Sequence, residues 1–325
     1  MPWQYDGMTV ELFKELLFSP FGLALLALLA ERWFPWPEQW HPFAVLRLMA
    51  AYMSGKVNKP DRPSSQKKIA GFLALLTMLL LVLLPAAIVF AGAEVSLAIG
   101  WLILLVSLRQ QTVRQATHLA EQHLSKGRKN AARAWLTRVT WRDCDRLSEH
   151  GIAKTSIELR ATSILESRFA PLLFWCLGGP LAALGVRVLA ELKEVWPTAQ
   201  ARYRHFGQAT AWLYAITHFL PSFVLSLFAR AVGLFRRNTP KIEPLKRNPV
   251  FPTILLSWLQ SFSYCHKVTL GGPIQAAGIR ISRQRFGGRP AELLLPQAAR
   301  WQRLWQGFFI TCLLIGLFTL FIYRP

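Results

Sequence analysis

The sequence predicts an all-α fold, a polytopic integral membrane bundle with additional helices on its cytoplasmic side. Three observations carry this. Hydrophobic residues make up 53% of the 325-residue chain and charged ones only 17%, where soluble domains carry about 25% charged residues. Apolar runs recur at lengths that suit a hydrocarbon core of about 30 Å, at ~1.5 Å per helical residue. Lys and Arg collect between alternate runs, as the positive-inside bias requires.

Six spans are expected, near residues 13–30, 69–90, 94–108, 169–190, 211–235 and 307–323, within one domain covering 1–325. The chain opens "MPWQYDGMTVELFKELLF", with acids before its first apolar run. A cleaved leader starts basic and ends on small residues, so this end is expected to be retained. The second run, "IAGFLALLTMLLLVLLPAAIVF", should kink at Pro85. The third, "EVSLAIGWLILLVSL", is short and follows a tight turn at "AGAE". If it pairs with the second as a re-entrant hairpin the count changes, which leaves five to seven spans open. The fourth is "FAPLLFWCLGGPLAALGVRVLA". The fifth carries His218 and Arg230, and the last is "GFFITCLLIGLFTLFIY".

With the N-terminus outside, the inside segments are Arg32–Lys68, Arg109–Arg168 and Arg236–Arg303. They hold 7, 12 and 12 Lys and Arg, or 31 of the 38. Both termini are therefore expected outside and the basic segments in the cytoplasm. Within 109–168, "TVRQATHLAEQHLSKGRKNAARAWLTRVTW" has apolar residues at helical spacing, and "SKGRKN" splits it into a helix pair. The second cytoplasmic segment, 236–305, is also expected to be helical. It opens with a loop over Arg236–Pro252. "TILLSWLQSFSYC" then reads as an amphipathic helix too short to span. "LGGPIQAAGIRISRQRFGGRPAELLLP" sets two Gly-Gly pairs, Gly271–Gly272 and Gly287–Gly288, around a basic core, and such pairs can form loop nests for an anion.

The net charge of +21 does not argue for nucleic acid, since no RNA-binding signature or zinc finger is present. Basic cytoplasmic loops explain it, and they suit membrane lipids or a phosphorylated ligand. Cys144, Cys176, Cys265 and Cys312 are far apart, so neither a disulfide framework nor a cysteine metal site is expected.

The densest polar cluster, "RVTWRDCDRLSEHGIAKTSIELR", lies beside the fourth span. Five of the chain's 17 acids, Asp143, Asp145, Glu149, Glu158 and Glu166, fall within it or just after it. Two readings fit. One is a solvated helix end with local ion pairs. The other is a phosphate or metal-nucleotide site, with Arg142 and Arg146 clamping an anion and the acids on Mg²⁺. Glu158 and Glu166 are eight apart and share a helix face. Arg142, Arg146, Arg280, Arg283 and Arg285 are expected to converge. His218 in the fifth span is either a hydrogen-bonded structural residue or a functional one. His41–Pro42 follows "FPWPEQW", which reads as an interfacial aromatic belt.

The order "HP", "RD", "AP…GGP", "Y…FG…LP" and paired late glycines resembles the CobD/CbiB family of cobalamin biosynthesis. The resemblance covers most of the chain and is strongest from Arg142 to Pro221. It implies a multi-pass bacterial inner-membrane ligase, an adenosylcobinamide-phosphate synthase. Such an enzyme joins the amine of an aminopropanol phosphate to the carboxylate of adenosylcobyric acid, with ATP and Mg²⁺. The implied partners are a corrinoid and a phosphorylated amino alcohol, with no nucleic acid. The implied catalytic residues are Asp143, Glu158 and Glu166, with Mg²⁺ on Asp143 and Glu158. The implied substrate-binding residues are His41, Arg142, Arg146, Tyr203, His218, Arg280, Arg283, Gly287 and Gly288.

Departures from the family pattern cluster on its acids. Thr162 and Ser163 stand for Glu and Asn, and Glu166 for Asp. The family's Asn-Thr-Leu-Asp falls on Ala190, Glu191, Leu192 and Lys193, its Asp-Asp on Tyr214 and Ala215, and its Asn on His218. Loss of acids is shared with an AmpE-like branch, linked to β-lactamase signalling. That gives the alternative expectation of a membrane regulator without turnover.

Overall fold

A computed structural model describes residues 14–33, 40–92, 96–235 and 253–322, together with 11 and 244–245. The chain is nearly all helical. Its helices are α1 (Pro20–Trp33), α2 (Pro42–Val57), α3 (Ser64–Gly92), α4 (Ser96–Ser107), α5 (Gln110–Ser125), α6 (Lys129–Thr137), α7 (Glu149–Ile164), α8 (Ala170–Val195), α9 (Gln208–Thr217), α10 (Phe219–Phe235), α11 (Thr253–His266), α12 (Ala291–Leu294) and α13 (Ala298–Ile322).

Among the described residues, four helical stretches are long and apolar enough to cross a membrane: Ser64–Gly92, Ser96–Ser125, Glu149–Val195 and Ala291–Ile322. The pair α9 and α10, bent by 52° at His218, makes a fifth if it is one broken span. These coincide with the expected runs at 69–90, 94–108, 169–190, 211–235 and 307–323. The first expected run holds a short helical stretch over 14–18 and then α1, itself 14 residues long. Ala91 and Gly92 of "AGAE" are still helical at the end of α3, whereas its last two residues, residues 34–39 of the "FPWPEQW" belt and most of the Arg236–Pro252 loop lie outside the described residues.

Local chemistry sets the breaks. Ser148 caps α7, its hydroxyl accepting from the Gly151 amide at 3.1 Å. Gly127, at φ +71°, ends α5 with its amide donating to the Leu124 carbonyl, where "SKGRKN" was expected to split the pair. Pro85 sits inside a continuous α3. The sharper break falls in α8, where Gly179 takes φ 74°, ψ −165° before Pro180. One π-helical turn, Leu165–Phe169, joins α7 to α8. Such turns favour functional sites.

The expectation of a helical segment over 236–305 is corrected between Leu270 and Phe286. Two small antiparallel ladders follow α11: β1 (Leu270–Gly271) with β4 (Arg285–Phe286), and β2 (Ile274–Ala276) with β3 (Ile279–Ile281). "PIQAAGIRI" alternates at period two, with Ile274 and Ala276 buried and Gln275 exposed, which suits a strand and not a helix. Ala277 and Gly278, at φ 49° and 76°, make the tight turn between β2 and β3.

The largest core joins α1, α4, α7, α8, α10, α11 and α13. Trp258 is fully buried in it, and its indole donates to the Ala161 carbonyl at 2.7 Å. That bond pins α11 and the ladders onto α7, beside the dense polar cluster. A second core joins α2, α3 and α8. Outside both, Ile69, Phe72, Leu76, Leu80, Leu84 and Ile88 of α3 are exposed, as a lipid-facing helix requires.

Candidate functional site

Glu158 is the hub of the polar cluster. It is wholly buried on α7. One carboxylate oxygen accepts from Arg142 Nη1 at 2.5 Å and from Arg283 Nη2 at 2.9 Å. The other accepts from Arg283 Nη2 at 3.0 Å and from the Gly271 amide at 2.7 Å. A carboxylate has roughly four lone-pair sites, so Glu158 is saturated. Its neighbours carry more positive charge than it cancels.

That excess borders a cavity of about 350 Å³. Arg142, Asp143, Lys154, Thr155, Gln275 and Arg280 line it. Arg142 also lines a second cavity, with Thr140, Trp141, Thr162, Lys193 and Glu194. Arg142 therefore stands on the wall between two openings, held there by Glu158. The arrangement favours an anion in the first cavity.

Asp143 does other work. Its carboxylate accepts from the Ala277 and Gly278 amides at 3.1 and 2.8 Å, and its own amide donates to the Gln275 carbonyl at 2.9 Å. It clasps the β2–β3 turn and so fixes the cavity wall. Neighbouring Cys144 is buried, which pushes its thiol pKa up and leaves it a packed, unreactive group.

The donor set does not fit the Mg²⁺ expected on Asp143 and Glu158. Both acids spend their oxygens on protein donors, and the groups around Glu158 are cations. No group of three or more His, Cys, Asp and Glu among the described residues could hold a metal ion.

Glu166 lies on the π turn, in a separate buried centre. Lys193 Nζ is 2.5 Å from its carboxylate, and the Tyr214 hydroxyl donates to the same oxygen at 2.5 Å. Glu194 lies 3.1 Å from the same ammonium. The Tyr214 ring stacks on His218 at 4.0 Å. His218 is fully buried, and its Nδ1 lies 3.2 Å from the Tyr214 carbonyl.

A third centre surrounds Glu191, which binds Arg47 at 2.5 Å and Arg109 at 2.9 Å and also pairs with Arg187. His41 is buried beside it and caps α2, its Nδ1 accepting from the Phe43 amide at 3.3 Å. Burial first, then the Arg109 and Arg187 charges, lowers its pKa to about 3, so the ring is neutral and can accept.

Of the expected substrate-binding residues, the structure gathers Arg142, Arg280 and Arg283. Arg146 is exposed and outside the lining of the first cavity. Tyr203 packs on α2, its hydroxyl 3.4 Å from Ser54 Oγ. Gly287 is a packing glycine: a Cβ there would lie 2.1 Å from the Val268 carbonyl oxygen. Neither Gly287 nor Gly288 lines the cavity. Lys154 escaped the sequence reading, whereas Gly271 was read as part of a possible anion nest. The Gly271–Gly272 pair was the available signal, since Gly271 does offer its amide to an anion, the carboxylate of Glu158.

Residues 24–249 match the family model described as CobD/Cbib protein. The chain is 26% identical over 273 residues to the cobalamin biosynthesis protein CobD of Halalkalibacterium halodurans, covering 80% of this chain and 84% of that one. It is 25% identical over 302 residues to the cobalamin biosynthesis protein CobD of Pelobacter propionicus, covering 87% and 89%. With that of Geobacter metallireducens it shares 30% over 157 residues, covering 47% and 48%. No solved structure matches. These relatives do not favour the AmpE-like regulator.

Proposed function

The chain belongs to the CobD/CbiB family, and from that premise we propose that it acts in cobalamin biosynthesis at the bacterial inner membrane. The reaction proposed is amide formation between a corrinoid carboxylate and the amine of an amino-alcohol phosphate. A free carboxylate and an amine do not condense in water, so ATP is the proposed co-substrate, and the departing carboxylate oxygen leaves on a phosphoryl group.

One observation supports this reading above the rest. Arg142, Lys154 and Arg280 line a cavity sized for a small molecule, and Arg142 also borders a second opening. In this reading the phosphate of the amino alcohol sits in the first cavity, charge-paired with those three side chains. Its amine then points past Arg142 toward the corrinoid. Glu158 and Asp143 are positioning residues, one holding Arg142 and Arg283 and the other fixing the β2–β3 turn. Neither holds a metal here.

Isothermal titration of the purified protein with aminopropanol phosphate, and separately with a corrinoid acid, tests the reading. Saturable binding of both is expected. Folded protein that binds neither would overturn it.

A further inference from the structure

A second basic cavity, of about 540 Å³, lies among α1, α5 and α13. Arg32, Arg114, His118, Arg160, Gln302 and Arg303 line it, and it shares no residue with the Arg142 cavity. No acid is among the residues that line it, and the nearby acids are engaged. Glu121 pairs with Arg160 at 2.7 Å, and nearby Glu31 pairs with Arg168 at 2.6 Å. Arg32, Arg114 and Arg303 have no ion pair among the described residues. The cavity therefore carries uncompensated positive charge.

Its place along the helices gives the ligand class. Arg32 closes the apolar α1. Arg114 lies in the second turn of the polar α5, about two turns after the apolar α4 ends. Arg303 lies in the second turn of α13, just before its apolar stretch. All three sit where a helix passes from polar to apolar sequence, the depth of lipid headgroups. On α13, exposed Ile310, Leu314 and Phe318 continue from Arg303 along the lipid-facing side.

We propose that this cavity binds a phosphoryl anion, the headgroup phosphate of an anionic phospholipid whose chains lie along α13. The same chemistry would accept a soluble phosphate, so the test separates the two sources. Full-length protein, purified in a zwitterionic detergent, is examined by native mass spectrometry with phosphatidylglycerol, with phosphatidylcholine, or with inorganic phosphate. The wild type should retain phosphatidylglycerol about thirtyfold better than the Arg114→Gln, Arg303→Gln double variant does. The Arg114→Lys, Arg303→Lys variant should recover most of it, and phosphatidylcholine should bind weakly throughout. Retention of phosphate with no preference for phosphatidylglycerol would support the phosphoryl site with a soluble source. Equal retention of the two lipids without phosphate binding, or undiminished phosphatidylglycerol in the double variant, would overturn it. Should the double variant aggregate, Arg303→Gln alone, at an exposed position, carries the comparison.

Discussion

Arg283 clasps Glu158 from a strand-rich loop 125 residues away, its Nη2 lying 3.0 and 2.9 Å from the two carboxylate oxygens, with neither side chain open to solvent. The pair joins the ladder region to α7. It makes Glu158 a structural hub as much as a site residue.

Glu158→Gln is therefore not a quiet isostere. It removes one charge and leaves Arg142 and Arg283 facing each other. Breaking a buried pair in this way costs about 3–5 kcal/mol. A clear fall in thermal stability in detergent is expected, with Arg283→Met in the same chain recovering part of it. Unchanged stability of the single variant would refute the hub.

Asp143→Asn should loosen the β2–β3 turn without touching the membrane helices. Weakening its two charge-assisted bonds costs about 1–3 kcal/mol. Hydrogen exchange should rise at Ala277 and Gly278 and stay level in α3. Because the carboxylate serves the turn, added MgCl₂ should not shift the wild-type melting temperature through this residue.

Arg142→Gln should weaken binding of aminopropanol phosphate by roughly tenfold or more, the usual cost of a lost charged hydrogen bond. Arg146→Gln, at an exposed position outside the cavity lining, should leave it unchanged. Titration calorimetry of both variants distinguishes a specific pocket from general attraction to a basic surface.

His41 predicts a pH dependence. Its folded pKa of about 3 lies below the ordinary 6.5, so between those values the unfolded chain takes up a proton that the folded chain refuses. The contribution of a neutral His41 is thus complete above pH 6.5 and is lost as pH falls toward 3. His41→Asn keeps a capping side chain and should flatten this part of the melting-temperature profile between pH 7 and 4. A variant as acid-sensitive as wild type would exclude His41 as the source.

The placement of 31 of 38 basic residues predicts that Gly127, between α5 and α6, faces the cytoplasm. A reporter fused there should be active only in its cytoplasmic form. A periplasmic signal would invert the topology.

Much of this architecture was legible because hydropathy and helix breakers act locally. The apolar stretches of α3, α8 and α13 announce themselves, as does the Gly127 break. The convergence of Arg142, Arg280 and Arg283 was readable only as charge in search of a partner. What the sequence concealed is the choice among partners. Glu158 and Asp143 looked like metal ligands because acids beside arginines suit either role. Which role holds depends on Gly271, Ala277 and Gly278, over a hundred residues away, arriving with their amides. The ladders were hidden by their shortness, since strands of two or three residues leave little periodicity to read.

The Lys193 ammonium lies between Glu166 and Glu194. That centre thus contains a cation tethered by the backbone and present in every copy of the chain. It does not depend on the ionic composition of the medium, and a chelator cannot strip it.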